Sequence, residues 1–291
     1  MYLAAFYVKA TGNENIDSLR GSNTDGIDPD SSKNIHISNC HIEAGDDCIV
    51  LKSTKESAAK YGSCENITVT NCTLISRSSA IKIGTETNAD IRDCVFNNCV
   101  IRNSNRGLGI WVRDNSIIEN IIFSNMVIET RLFEGNWWGK GEPIYITAEK
   151  RIKNRKPGKI RNIKFKDIIA RSESGIYLGG SEESILENIT LEDIDLFIEK
   201  KSDLAGGKFD IRPVYEKKGI FESDISGIYS KNINELSLRN IKVKWDENEK
   251  QDYWSHAVYC DNIYDLELKG LKGKAAFDNL ASVEMKKVKN I

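Results

Sequence analysis

Three aspartates stand in a setting suited to acid–base chemistry. Asp25 lies in Asn23-Thr24-Asp25-Gly26, and Asp46 and Asp47 are adjacent in Gly45-Asp46-Asp47-Cys48. Like charges this close raise the pKa of one member, so such a cluster offers a proton donor and a water-activating base together. That pair of roles is the minimum for glycoside hydrolysis. An Asp-rich turn or a calcium site uses the same residue types, since calcium is bound by carboxylate oxygens. Spacing alone leaves all three readings open.

Whether the three meet depends on the elements that carry them, and the chain is a repeat. One phrase recurs, as in Asn34-Ile35-His36-Ile37-Ser38-Asn39-Cys40, Asn66-Ile67-Thr68-Val69-Thr70-Asn71-Cys72 and Asn162-Ile163-Lys164-Phe165-Lys166-Asp167-Ile168. Copies begin at 34, 66, 93, 120, 162, 188, 235 and 265. A base period in the middle twenties, lengthened by insertions, marks a solenoid. Inside each phrase apolar residues alternate with polar ones, the period of a strand with one buried face. Asn or Asp then follows at a fixed register (Asn39, Asn71, Asn98, Asn125, Asp167, Asp193, Asn240). These residues tolerate left-handed backbone, so one Asn-marked bend is expected per coil. A second strand opens with an apolar residue, and a third follows in runs such as Cys48–Leu51, Ala80–Ile83 and Gly109–Val112.

The fold expected is all-β: a single-stranded right-handed parallel β-helix forming one domain over residues 1–291. The 21-residue step from Asp25 to Asp46 is close to one coil, which stacks Asp25 beside Asp46 and Asp47. The coils at either end expose strand edges that need covers, and a second copy of the chain is one candidate cover. No amphipathic capping helix is apparent ahead of the first repeat. The insertions near 130–142 and 199–227 are expected as loops walling a groove.

Composition narrows the classes further. The 291 residues carry 41 basic and 43 acidic side chains, a net charge of −2, which argues against a nucleic-acid partner. No apolar run approaches the roughly 20 residues of a membrane helix, so no membrane partner is expected. The seven cysteines lack zinc-like pairs and are read as reduced packing residues. His36 and His41 alternate with inward isoleucines and are expected to face outward, so no metal centre or histidine triad is expected. No phosphate-cradling glycine loop precedes a helix, and no cofactor is expected. The start Met1-Tyr2-Leu3-Ala4-Ala5-Phe6 lacks the basic region of a secretory signal. As written the chain reads as cytoplasmic, and a truncated N-terminus would allow a secreted or periplasmic protein.

The run from Asn23 to Cys40 followed by Gly45 to Ser53 resembles glycoside hydrolase family 28, the polygalacturonase and rhamnogalacturonan hydrolase group. The similarity continues more weakly to about Tyr145. The resemblance implies a right-handed parallel β-helix and hydrolysis with inversion of a pectin-type polysaccharide. It implies Asp46 as the general acid, with Asp25 and Asp47 holding and deprotonating the attacking water. Acid and base in inverting enzymes are typically about 6.5–9.5 Å apart, the separation expected here. Two departures stand out. Family members carry Gly-His-Gly before an Ile-Gly-Ser segment, and alignment on Ile83-Gly84-Thr85 puts Ser79 at that His. They also carry Arg-Ile-Lys where Gly109-Ile110-Trp111 stands here. Losing these cations argues against plain polygalacturonate, because a uronate needs charge-assisted partners. Lys82 and Arg113 are the candidate replacements, with Trp111 as a stacking surface for the sugar. The family also has several coils before this motif, where only 22 residues precede it here, so one end of the cleft is expected to be missing or supplied by another chain.

Trp137 and Trp138 sit in a glycine-rich loop that ill suits a strand core, and are read as sugar-stacking residues, with Tyr145 pointing into the same cleft. The basic run Lys150–Lys156 is read as a solvated loop face. The leading reading is a pectin-type glycosidase. The alternatives are a non-catalytic carbohydrate-binding β-helix and, more remotely, a calcium-dependent polysaccharide lyase.

Overall fold

The structure, a computed structural model, describes residues 2–3, 6–9, 23–135, 137–215 and 219–289. Strands from successive coils join into one continuous parallel sheet, with a separate antiparallel hairpin of Lys208–Asp210 and Ile220–Glu222. The chain is a parallel β-helix. Among the described residues the one α-helix, Lys55–Tyr61, buries no side chain and is capped by Thr54, and no helix is long and apolar enough to cross a membrane. The expectation about a capping helix falls on residues outside those described. Before the motif, Tyr2–Leu3 and Phe6–Lys9 pair in parallel with His36–Ile37 and Cys40–Glu43, so strands of a preceding coil are present.

Each coil follows from the alternation. In Ile117–Thr130, Ile121 and Phe123 are fully buried while Ile122 between them is 39% exposed. The inward columns are continuous: Cys99, Met126, Ile168, Ile194 and Ile241 lie in register, all buried. Phe96, Phe123 and Phe165 stack with centroids 4.7 and 5.0 Å apart. All seven cysteines are buried, and none forms a disulfide.

The bends differ from the expectation in number. Left-handed backbone occurs at Asn39, Asn71, Asn98, Asn125, Asp167, Asp193 and Asn240 as expected, and also where each phrase opens, at Asn34, Asn66, Asp93, Asn120, Asn162 and Asn188. There are two Asn-type bends per phrase, not one. The opening asparagines also form a side-chain ladder: Asn66 donates to Asn34 (3.2 Å), Asn120 to Asp93 (2.8 Å), Asn162 to Asn120 (3.1 Å) and Asn188 to Asn162 (2.9 Å). An amide both donates and accepts, so it satisfies the coils on either side of it.

The two insertions are tied down by buried charge. The Glu173 carboxylate accepts from the Leu132, Lys201 and Ser202 amides and from Lys200 Nζ, anchoring the start of both loops. Arg106 and Glu142, neither exposed, form a bidentate pair at 2.9 and 3.1 Å. Arg106 also reaches the Asp210 carbonyl at 3.1 Å, and Asp210 accepts from Arg212 and from the Gly139 amide. Phe209 of the hairpin then packs on Tyr177 and Tyr229 at 4.7 and 5.4 Å, covering the outer face of the sheet.

Candidate active site

The aspartates are brought together by the stacking of two coils. Residues 26–30 run beside Ile49–Ser53, with the Gly26 amide donating to the Asp47 carbonyl and the Ile27 amide to the Cys48 carbonyl, both at 2.9 Å. A Cβ at Gly26 would lie 2.6 Å from the Cys48 carbonyl oxygen, so only glycine permits this approach. The approach sets the Asp25 carboxylate against the Asp47 amide, which donates to Oδ1 at 3.1 Å. Asp46 accepts from the Asn23 amide at 2.8 Å. Asp47 is buried, and its two oxygens accept from the Ser79 amide (2.8 Å) and from Lys82 Nζ (2.5 Å).

One carboxylate oxygen from each aspartate lies within 4.8 Å of the others. The three acids are therefore close-set. The cause is the direct stacking of Asp25 on Asp47, with Asp46 next to it in the chain. The electrostatic consequence is a pair of raised acids. Burial first, then the charges of Asp47, Asp28 and Asp46, push Asp25 up to about 7. Burial and the Asp47 charge also raise Asp46, opposed by the Asn23 amide, Lys82 and Ser78. A protonated acid beside an ionised one is what acid–base hydrolysis requires.

The trio opens into a cavity of about 300 Å³ that Lys52, Lys82, Trp137 and Trp138 also line. Of the residues expected at the site, Lys82, Trp137 and Trp138 are therefore gathered with the aspartates. Trp111, Arg113 and Tyr145 are not, and these three expectations are corrected. All three are wholly buried. The Trp111 ring folds back over Gly109, where an added Cβ would lie 2.2 Å from it, and packs on Tyr145 at 4.9 Å. It fills a gap in the wall instead of offering a face to sugar. Arg113 spends its guanidinium on the Val112, Thr147, Ile211 and Pro213 carbonyls and on Thr147 Oγ1, fastening the second insertion to the coil.

Among the cleft residues missed, Asn23 and Lys52 stand out. Lys52 pairs with Asp28 at 2.5 Å on the cleft rim, and its outward position was readable from the alternation with buried Ile49 and Leu51. The Asn23 amide acts through its backbone, which no side-chain pattern reveals. Ser79, at the family's histidine position, contributes its backbone amide to Asp47. The basic run is partly spent on structure, since Arg151 and Arg155 pair with buried Asp114 at 2.6 and 3.0 Å. His36 is exposed and His41 is half-buried.

With fold and site in place, comparison with known proteins is informative. Over 78 residues the chain is 41% identical to a probable polygalacturonase of Vitis vinifera, a stretch covering 26% of this chain and 16% of that protein. Among solved structures it resembles a family 28 exopolygalacturonase of Yersinia enterocolitica, with TM-score 0.57, 13% identity, and coverage of 91% of this chain and 38% of that one. It also resembles a hyperthermoactive exopolygalacturonase of Thermotoga maritima, with TM-score 0.52, 22% identity, and coverage of 77% and 45%. The chain thus spans less than half the length of each of these proteins. The model of glycosyl hydrolases family 28 matches residues 1–206, more than two thirds of the chain, and the chain belongs to that family.

Proposed function

We propose that the chain carries the catalytic site of a glycosidase acting on a pectin-type polysaccharide of the galacturonan or rhamnogalacturonan class. The observation that carries this reading is the aspartate trio, two of its members raised toward the protonated state, at the mouth of a cleft flanked by two tryptophans. Asp46 protonates the leaving glycosidic oxygen. Asp25 and Asp47 share the attacking water and take its proton. Two hydrogen bonds of about 2.7 Å meeting at a tetrahedral water span roughly 4.5 Å, which agrees with the spacing of the carboxylate oxygens. The names of the relatives support a galacturonan. Lys52, paired with Asp28 on the rim and more exposed than Lys82, is the cation nearest to hand for a sugar carboxylate, since Arg113 is enclosed.

The direct experiment is product detection on polygalacturonate, methyl-esterified pectin and rhamnogalacturonan oligosaccharides. Turnover lost in Asp46→Asn supports the reading. Full-strength binding with no product from the wild type favours the carbohydrate-binding alternative. An unsaturated product that vanishes with chelator favours the lyase. Inversion is what the family resemblance implies, and retention is the other outcome open to a pair of carboxylates. The anomeric configuration of the first product, read by proton NMR, decides between them: inversion is expected, and a retained configuration would make one aspartate a nucleophile.

A further inference from the structure

Lys82 is the residue of the cleft for which neither acid nor base chemistry accounts. It projects from the strand Ser79–Thr87, one coil on from Asp47, and its register neighbour on the following coil is Gly109. Since Gly109 offers no side chain, the Trp111 ring folds into its place and stands 5.8 Å from the Lys82 ammonium. Trp138, from the first insertion, closes the other side at 5.5 Å. An ammonium held near indole faces and shielded from water is stabilised by the ring quadrupoles. Burial works against the charge, but the Asp47 carboxylate and its hydrogen bond outweigh it, holding Lys82 above the usual lysine range.

We propose that Lys82 is a positioning residue for hydrolysis: boxed between Trp111 and Trp138, it fixes the Asp47 carboxylate and keeps negative charge on the water-holding side of the trio. This rests on the hydrolase reading above. With the Ser79 amide on Oδ1 and Lys82 on Oδ2, Asp47 cannot rotate away from its orientation. Each carboxylate oxygen keeps a second lone-pair site, so Asp47 can still accept from a water. The charged groups that face this centre are Asp25, Asp28, Asp46, Lys52 and Glu86, with Arg106 behind Trp111 at 5.0 Å from its ring and Arg77 turned under Trp137 at 5.6 Å. Lys52 is paired with Asp28 and reaches Asp25 only through space, whereas Lys82 is hydrogen-bonded directly to a carboxylate of the trio. Its ammonium is also what a divalent ion would have to displace from Asp47.

The test compares wild type, Lys82→Met and Lys82→Arg, each checked for a wild-type melting temperature. For Lys82→Met, kcat should fall at least about tenfold with KM changed less than about threefold. Its acid limb of kcat/KM should move to higher pH, because carboxylates that lose a nearby cation ionise less readily. Lys82→Arg should restore most of the limb position. A Lys82→Met enzyme with wild-type kcat and limb overturns the inference. So does a loss confined to KM and seen only on charged substrates, which would make Lys82 a grip for the sugar carboxylate. If the wild type turns over no pectic substrate, the hydrolase reading fails separately. Carbon NMR titration of the Asp25, Asp46 and Asp47 carboxyls then still reads the electrostatic arm. An upward shift of the trio in Lys82→Met supports the fixed charge, and unchanged titration removes it.

Discussion

One outer face of the sheet is put to two opposite uses. Val50, Lys82, Gly109, Tyr145, Tyr177, Tyr229 and Tyr259 are neighbours in register along it. Around Lys82 the face is open and holds the aspartate trio. From Tyr145 onward the tyrosine rings stack 5.0–5.4 Å apart, and Phe209 of the hairpin roofs the part at Tyr177 and Tyr229. Both regions are built from parallel strands in register. What differs is what the insertions lay beside the face: Trp137 and Trp138 at Lys82, and the antiparallel hairpin at Tyr177 and Tyr229. Arg106, Glu142 and Asp210 are as charged as Lys82 and Asp47, but they spend that charge on holding the roof.

The sharpest contrast is expected from single substitutions on either side of the boundary. Asp46→Asn should lower kcat by about 10²–10⁴ and leave the melting temperature within a few degrees of wild type. An active Asp46→Asn enzyme would remove its assignment as the acid. Under the roof the opposite pattern is expected. Glu142→Ala leaves Arg106 buried and unpaired, and should cost about 3–5 kcal/mol of stability in urea unfolding, with activity falling only as the cleft wall loosens. A stability loss below about 1 kcal/mol would mean the roof is held by packing alone.

A smaller effect, of opposite sign, is expected at Asp25. Its folded pKa is about 7, above the roughly 3.9 of an unfolded aspartate. Between those values the folded state holds a proton that the unfolded state has released, so this group removes stability as pH rises through that window. Asp25→Asn should therefore stabilise the protein above pH 7, by about 1 kcal/mol after allowing for solvent screening, while abolishing turnover. Equal melting temperatures of mutant and wild type at pH 8 would contradict the raised pKa. Last comes the ladder common to both regions. Asn162→Ala must hold a left-handed backbone without the side chain that bridges its neighbours, and should cost about 1 kcal/mol or somewhat more. A neutral result would show that the ladder follows the bends instead of stabilising them.

The strand alternation, the coil register and the meeting of Asp25 with Asp46 and Asp47 were all legible in the sequence. Each depends on a repeat, and in a solenoid a position in one coil has its counterpart one coil away. The cleft setting of Trp137 and Trp138, both half-buried, was read instead from their glycine-rich loop. The second bend was legible too, in the asparagine that opens each phrase. The fates of Trp111, Tyr145 and Arg113 were not. Alternation places Trp111 and Tyr145 in their strands and Arg113 just past one, and only packing between distant segments decides that they are buried. That packing is built by contacts such as Arg106 with Asp210 and Arg113 with Ile211, which are 104 and 98 residues apart. The sequence by itself determined the coil and the acids on it, because those arise from short-range periodicity. Tertiary structure alone decided where the cleft ends, because an insertion has no register to read and its resting place depends on which buried charges it finds.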